Sequence, residues 1–157
     1  MPFFSFDGKS PTVGKECFIA DSAEVIGNVT IGDRCYVGFG AILRGDYGRI
    51  VIGDETAVEE GCICHAKPGS LLTVGNRVTL GHGTIIHGKK IEDGAVIGMG
   101  AVIGFDACIE RGAVVAEGAV VKAGTRVPAG VIVAGMPAAK VREVDSRQRR
   151  FIDHVKE

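Results

Sequence analysis

Residues 91–133 read IEDGAVIGMGAVIGFDACIERGAVVAEGAVVKAGTRVPAGVIV, and their pattern repeats every six positions. An aliphatic residue opens each repeat, from Ile91 to Val133, and a small residue, most often alanine, follows four positions later. Helices bury residues with a period of 3.6 and simple strands with a period of 2, so a period of six fits neither alone. It is typical of a short strand and a tight corner repeated along the chain, with the aliphatic residues filling a narrow interior.

The same six-residue rhythm extends towards the N-terminus with three interruptions. Its aliphatic or cysteine positions there are Val13, Ile19, Val25, Ile31, Val37, Leu43, Ile52, Val58, Cys64, Val74, Leu80 and Ile86. Glycine accounts for 24 of the 157 residues. Many of these glycines stand where a corner favours the left-handed backbone conformation, which glycine adopts readily. The rhythm excludes a helix bundle over this part of the chain.

These hexads resemble those of hexapeptide-repeat proteins over residues 11–138. The resemblance implies an all-β solenoid, a left-handed parallel β-helix in which three hexads form one triangular coil. Each coil is a template for the next, because backbone hydrogen bonds run between successive turns. We therefore expect residues 1–138 to form the β-helix domain.

The tail of the chain loses the rhythm and becomes rich in charge. We expect residues 139–157 to form a C-terminal α-helix that packs on the solenoid. Asp145 or Ser146 is a suitable N-cap for it, since both side chains can accept a hydrogen bond from the first turn. Phe151 and Ile152 share one helical face, and we expect both to be buried.

The charge balance and the N-terminus argue against several classes of protein. The chain has 18 Lys and Arg residues against 19 Asp and Glu residues, a formal net charge of −1. We therefore expect no nucleic acid partner, because nucleic-acid binders need a basic surface. No apolar run approaches the roughly 18–20 residues of a membrane span, and residues 1–10 lack the layout of a signal peptide. We accordingly expect a cytoplasmic protein with no membrane partner.

Five cysteines are an odd number, so complete pairing within the chain is impossible. In the absence of a secretory signal, we expect reduced thiols rather than disulfides. Cys62 and Cys64 stand at inward positions of the hexads, and we interpret them as small core residues.

The three interruptions lie in the middle of the chain, around three of the four histidines. The intervals 43–52 and 64–74 are longer than one hexad, and the interval 86–91 is one residue short. We expect loops at these points. A regular solenoid that is interrupted only near its histidines indicates a functional site.

The register places two of these histidines on one edge of the solenoid. Counting three hexads per coil puts Ile86 directly above Cys64, one strand spacing away. The residues that follow them, His65 and His87, therefore stack on each other. The same count places Arg44 beneath His65.

His82 belongs to the preceding side of the triangle and cannot easily join the other two histidines within one chain. In a homotrimer about an axis parallel to the solenoid, a neighbour's His82 could face the pair. Three imidazoles with an open fourth position are a ligand set of catalytic zinc, and imidazole also suits iron, cobalt and copper, so the sequence alone does not fix the metal. We therefore expect His65, His82 and His87 to bind Zn2+, with Fe2+ or Co2+ as alternatives.

A more specific resemblance covers nearly the whole chain. The sequence resembles the γ-class carbonic anhydrases and their bacterial homologues. The segments that carry this resemblance are Arg44-Gly45-Asp46, Ile52-Gly53, His65, Gly81-His82, His87-Gly88, Gly135-Met136-Pro137-Ala138 and Val141-Arg142.

The resemblance implies a trimer with zinc between its subunits. His65 and His87 would come from one subunit and His82 from its neighbour. Arg44 and Asp46 match an ion pair that the family forms at the interface. The implied activity is that of a zinc-dependent lyase, the reversible hydration of CO2 to bicarbonate.

Several positions depart from the family's pattern. Glu59 and Glu60 stand where members carry Gln-Asp just before the first ligand. We expect Glu59 to orient the attacking water or take its proton while metal-bound hydroxide attacks CO2. Glu60 keeps the charge of the family's aspartate with one extra methylene. Tyr47 and Pro68 occupy the positions of acidic proton-shuttle residues, so no route for the released proton is evident.

Other functions stay open from the sequence. A metal-dependent acyl-CoA thioester hydrolase would use the same ligands, and so would a catalytically weak metal-binding trimeric scaffold. A hexapeptide acyltransferase usually needs one catalytic histidine and an acyl-CoA groove. The five-residue spacing of His82 and His87 argues against that last function.

Overall fold

The predicted fold class is confirmed. The computed structural model describes residues 2–155, which form a left-handed parallel β-helix of about seven turns followed by one α-helix. The strands are β1 (Phe3–Phe4), β2 (Thr12–Val13), β3 (Phe18–Ile19), β4 (Glu24–Ile31), β5 (Tyr36–Val37), β6 (Ile42–Ile52), β7 (Ala57–Val58), β8 (Ile63–His65), β9 (Leu71–Val74), β10 (Thr79–Leu80), β11 (Ile85–Ile86), β12 (Lys90–Ile91), β13 (Val96–Ile97), β14 (Val102–Ile103), β15 (Cys108–Ile109), β16 (Val114–Val115), β17 (Val120–Val121), β18 (Arg126–Val127), β19 (Val131–Ala134) and β20 (Ala139–Glu143); the helix is α1 (Ser146–Val155).

The strands stack into three faces of a triangular prism. The first face contains β8, β11, β14 and β17, and the second contains β9, β12, β15 and β18. The third face contains β3, β5, β7, β10, β13, β16 and β19. The long strands β4 and β6 belong to the first and second faces together, since β6 pairs with β8 at its start and with β9 at its end.

The core is a column of aliphatic side chains along the prism axis. In most two-residue strands the first side chain points outward and the second is buried, as for Val102 and Ile103. Small residues such as Ala101 and Ala107 fill the corners and are fully buried. This is the arrangement that the six-residue rhythm predicts.

The extra residues of the interval 43–52 form a bulge within β6 rather than a loop between two strands. β6 pairs with β4 up to Gly45 and again from Ile50, opposite Gly27 and Val29, so residues 46–49 have no partner in β4 at this prism edge. At the bend, Gly27 has a φ of 72° and pairs with Gly45. A Cβ atom on Gly27 would lie 2.5 Å from the Gly45 carbonyl oxygen. The two strands therefore come this close, where the bulge begins, only because Gly27 has no side chain.

The tail differs from the prediction at its start and in its burial. Residues 139–143 form β20, which pairs antiparallel with the edge strand β19, and the helix begins at Ser146. Strand pairing is favoured over a longer helix here because it satisfies the backbone N–H and C=O groups that β19, the edge strand, would otherwise expose. Phe151 is 69% exposed rather than buried, and Ile152 is half-buried. Within residues 2–155, no helix is long and apolar enough to cross a membrane.

The helix meets the solenoid through a cation rather than through an apolar face. Arg149 donates hydrogen bonds to the carbonyl oxygens of Gly112, at 2.5 Å, and Gly94, at 3.5 Å. Both carbonyls lie at corners of stacked coils, so Arg149 ties the helix to two turns at once.

The cysteines are free thiols, as predicted. Cys62 and Cys64 are fully buried. Burial raises the pKa of the Cys64 thiol far above its ordinary value, which keeps the thiol protonated and unreactive.

We predict that the cap of α1 depends on pH. Asp145 Oδ1 accepts a hydrogen bond of 2.8 Å from the Gln148 backbone N–H, which is the chief reason that the pKa of Asp145 is lowered. A carboxyl group with a lowered pKa stabilises the folded helix above its ordinary pKa, and this stabilisation is lost as the pH falls through the lowered value. The NMR shift of the Gln148 amide proton should therefore titrate below about pH 4.

Asp145→Asn is the matched control for this prediction, because asparagine caps a helix without a charge. The amide shift of Gln148 should then stay constant over the same pH range. An equal titration in both proteins would show that another group causes it.

Candidate metal centre

Two of the predicted ligands lie together at the edge between the first and second faces. His65 ends β8 and His87 follows β11, and the pairing of Ile86 with Cys64 stacks the two positions. Their ring centroids are 5.0 Å apart with the rings perpendicular. Phe105 packs against the other side of the His87 ring, with the centroids 4.6 Å apart. The stacking predicted from the register is therefore present.

Arg44 and Asp46 contact His65 from the coil below. Arg44 pairs with His65 in the strand register, and its Nη2 lies 2.9 Å from His65 Nε2. Asp46 Oδ1 lies 3.3 Å from the same nitrogen, and Asp46 Oδ2 lies 3.3 Å from Arg44 Nε. Burial acts to raise the pKa of Asp46, but the Tyr47 backbone N–H and the Arg44 charge outweigh it, so this pKa is lowered. Arg44 and Asp46 thus pair within one chain, and the ion pair across a subunit interface that the resemblance implies stays a prediction.

His87 carries a buried polar atom that has no protein partner. Its Nδ1 is inaccessible to solvent and, among the described residues, makes no hydrogen bond. Burial, then the charges of His65 and Arg44, lower the pKa of His87. A neutral imidazole is the form that binds metal ions.

His82 lies at the opposite edge of the first face, after β10 of the third face. Its side chain is 55% exposed, and its Nδ1 is 2.7 Å from Glu60 Oε2 and 4.0 Å from Glu59 Oε2. Within residues 2–155, the three potential ligand atoms that come within 4.8 Å of one another belong to Glu59, Glu60 and His82. The chain therefore keeps His82 apart from His65 and His87, as the register predicts.

Tyr36 is a residue of this edge that the motifs in the sequence did not reveal. Its hydroxyl donates a short hydrogen bond to Glu60 Oε1, and its ring stacks on Phe18 at a centroid distance of 5.3 Å. The hydrogen bond lowers the pKa of Glu60 and raises the pKa of Tyr36 to about 12. Burial raises the pKa of the neighbouring Glu59. The register could have indicated this contact. Tyr36 pairs with Ala57, which lies on the same coil as the two glutamates, so Tyr36 lies one coil below them.

Within one chain, the predicted imidazole donors that come together are those of His65 and His87. His65 and His87 line a groove of about 240 Å³ together with Arg44, Ile42 and Ile63. The unpartnered Nδ1 of His87 and a set of imidazole donors suit zinc. In the single chain the Arg44 guanidinium contacts the Nε2 atom of His65. A metal ion can bind this nitrogen only after Arg44 has moved away.

Comparison with known sequences identifies relatives of two kinds. Residues 10–45 match the family described as bacterial transferase hexapeptide (six repeats). A protein of Methanocaldococcus jannaschii named "Probable carbonic anhydrase" is 40% identical over 81 residues, which cover 52% of this chain and 51% of that protein. The carnitine operon protein CaiE of Escherichia coli O157:H7 is 39% identical over 88 residues, 56% of this chain and 45% of CaiE. The chain thus matches about half the length of these relatives.

Solved structures extend the likeness to the whole chain. A hexapeptide transferase family protein from Anaplasma phagocytophilum has a TM-score of 0.93 and 30% identity, with 98% of this chain and 91% of that chain covered. A variant of the Bacillus cereus N-acyltransferase AntD shares the fold alone, at a TM-score of 0.75 and 15% identity over 92% of this chain and 89% of AntD. The chain belongs to the hexapeptide-repeat family of left-handed β-helix proteins, and about half of it is similar to a protein named probable carbonic anhydrase.

Proposed function

We propose that this chain forms a homotrimer that binds zinc between neighbouring subunits and hydrates CO2 reversibly. The observation that carries the proposal is the placement of the histidines, with His65 and His87 at one edge of the first face and His82 at the other. A threefold axis parallel to the solenoid brings opposite edges of neighbouring subunits together. One subunit's pair and the next subunit's His82 then share each of three equivalent clefts.

The outward surface of the first face supports this assembly because it is apolar. Its central side chains, Ile63 and Ile85, are 38% and 39% exposed. The outward residues along this face are Ile42, Ile63, Ile85, Val102 and Val120. The outward residues of the second face include Thr73, Lys90 and Arg126 instead. An apolar strip between two histidine-bearing edges favours contact with another subunit.

The two edges also differ in charge. Glu59 and Glu60 beside His82 are both acidic, whereas near His65 and His87 the acidic Asp46 and Asp106 stand beside the basic Arg44 and Lys67. Complementary charges select the partner and its orientation when surfaces meet. In such a trimer Arg44 can leave His65 for an acidic group across the interface, which frees the Nε2 atom of His65.

Each residue of the cleft has its own role in the proposed reaction. Zinc, when bound, lowers the pKa of a coordinated water to about 7, as in carbonic anhydrase, and so supplies a nucleophile at neutral pH. Glu59 lies beside His82 and is placed to accept a hydrogen bond from the attacking water. Ile42 and Ile63 line the groove next to the histidine pair and present apolar surface to CO2. Glu60 accepts a hydrogen bond from the Nδ1 atom of His82. The Nε2 atom of His82 is then the one that binds the metal.

We predict that Glu60→Ala weakens zinc binding by about 10–100-fold, the usual effect of losing a carboxylate that orients a metal-bound histidine. The Nδ1 atom of His82 loses its 2.7 Å partner in this variant. Competition with a chromophoric chelator measures the affinity. Glu143→Ala, an exposed change on β20, is the control. Equal affinities of the two variants would contradict a role for Glu60 in orienting His82.

The proposed function is tested on protein purified without added metal. Sedimentation should show a trimer, and elemental analysis should show about one metal ion for each chain, the ratio that threefold symmetry requires. Stopped-flow measurements should show CO2 hydration by the zinc- or iron-loaded protein that the metal-free protein lacks. A metal-loaded trimer without this activity would remove the carbonic anhydrase function and leave a metal-binding scaffold.

Hydrolysis of an acyl thioester is the second candidate function. The same metal ion would polarise a thioester carbonyl. A panel of acyl thioesters, assayed beside CO2 with the same metal-loaded trimer, discriminates the two reactions.

A further inference from the structure

A basic pocket adjoins His87 on the side away from the first face. It has a volume of about 270 Å³ and opens onto the second face. Its walls are the loop over residues 66–70 and the short corner over residues 87–90. These are two of the three interruptions of the six-residue rhythm. They meet in space because Lys90 of the corner pairs with Thr73 of the strand that follows the loop.

The charges in this pocket are predominantly positive. Lys67, Lys89 and Lys90 line it, and its one acidic residue is Asp106. Lys67 Nζ lies 2.6 Å from Asp106 Oδ2, and Lys90 Nζ lies 3.1 Å from Glu92 Oε1 outside the pocket. Lys89 has no carboxylate partner among residues 2–155. The whole chain has a net charge of −1, so this concentration of lysines is local.

Hydroxyl groups complete the lining. Thr73 faces outward from β9, and Ser70 donates its hydroxyl to the Lys67 carbonyl oxygen at 2.7 Å. The hydroxyl proton of Ser70 is therefore committed, whereas the Thr73 hydroxyl and the lysine ammonium groups are donors whose hydrogen bonds oxyanions accept in proteins. The pocket holds several times the roughly 30 Å³ that one water molecule occupies in the liquid, so it accommodates a group larger than bicarbonate.

We propose that this pocket binds the oxyanion group, phosphate or carboxylate, of a small anionic molecule. Lys89 supplies the uncommitted charge, and Lys67 and Lys90 strengthen the positive field around it. The ring of His87 lines both this pocket and the groove that contains His65. A molecule held by its anionic group therefore extends towards the candidate metal centre. That last step rests on the proposed function, whereas binding of the anion does not.

The test uses metal-free protein, so that it is independent of zinc. Pyrophosphate is titrated by calorimetry at low salt, and Lys89→Gln and Lys67→Gln are compared with the native protein. Each substitution should raise the Kd about three- to fivefold, the effect of removing one exposed ion pair. Lys15→Gln, an exposed lysine at another corner, should leave the Kd unchanged. Equal Kd values in all four proteins, or no saturable binding, would overturn the proposal.

Acetate distinguishes the two sources of the oxyanion. If acetate displaces pyrophosphate at a similar concentration, the group bound is a carboxylate; if it does not, the group is a phosphate. Circular dichroism checks that each variant is folded. Anion binding without zinc binding would refute the proposed function and keep the pocket, and the reverse result would refute the pocket alone.

Discussion

Two variants that each lack metal binding, His65→Ala and His82→Ala, should regain it when their chains are expressed together. Each variant alone removes one of three ligands from every cleft, and we expect the zinc affinity to fall by more than about 100-fold. In mixed trimers, a cleft is intact when the His82→Ala chain supplies His65 and His87 and the neighbouring chain supplies His82. Random assembly from equal amounts of the two chains makes about one cleft in four intact.

The measurement is the zinc content of co-expressed, co-purified trimers, followed by their rate of CO2 hydration. A ligand set within a single chain would give no recovery, because neither variant has all three histidines. That result would end the proposal of a shared site, even if each variant alone lost zinc. His154→Ala, which changes a histidine of α1 away from these edges, is the control and should bind zinc as the native protein does.

Ile109→Ala should lower the free energy of unfolding by about 2–5 kcal/mol, the usual cost of removing most of a buried aliphatic side chain. Ile109 is fully buried, between Ile91 in the coil below and Val127 in the coil above. Each coil of a solenoid contacts mainly its neighbours, so no other part of the chain can move in to fill the cavity.

The matched control is Cys108→Ala, the outward-facing residue of the same two-residue strand. It should change the free energy of unfolding by less than about 0.5 kcal/mol, as surface substitutions usually do. Chemical denaturation at one fixed protein concentration measures both variants, because an oligomer's stability depends on concentration. Equal effects at the two positions would contradict the division of each strand into an inward and an outward residue.

The sequence could predict the solenoid and the histidine pair because stacked parallel coils repeat the same geometry. Once the period is known, a residue's place in its hexad determines its face and its neighbours above and below. That is why spacing alone places His65, His87 and Arg44 on one edge and His82 on another. The spacing located the extra residues of the interval 43–52 but not their conformation, since a bulge within a strand and a separate loop require similar numbers of extra residues.

The remaining parts of the site depend on contacts that the rhythm does not specify. The hydrogen bond from Tyr36 to Glu60 joins adjacent coils through long side chains, and the Tyr36 ring is positioned by stacking on Phe18. The lysine pocket arises where two irregular segments meet, and neither segment has a periodic register. The course of the tail could not be predicted for a similar reason. Its pairing with β19 requires an edge strand that exists only after the solenoid has formed.

The amino-acid sequence by itself thus determined the period, the inward column of aliphatic residues and the edges on which the histidines stand. These follow from local spacing, because backbone hydrogen bonds between coils carry each position onto the next turn. Only the tertiary structure decided the ion pairs of the candidate centre, the pocket beside His87 and the course of the tail. These depend on side-chain reach and on surfaces that exist only after the coils have stacked.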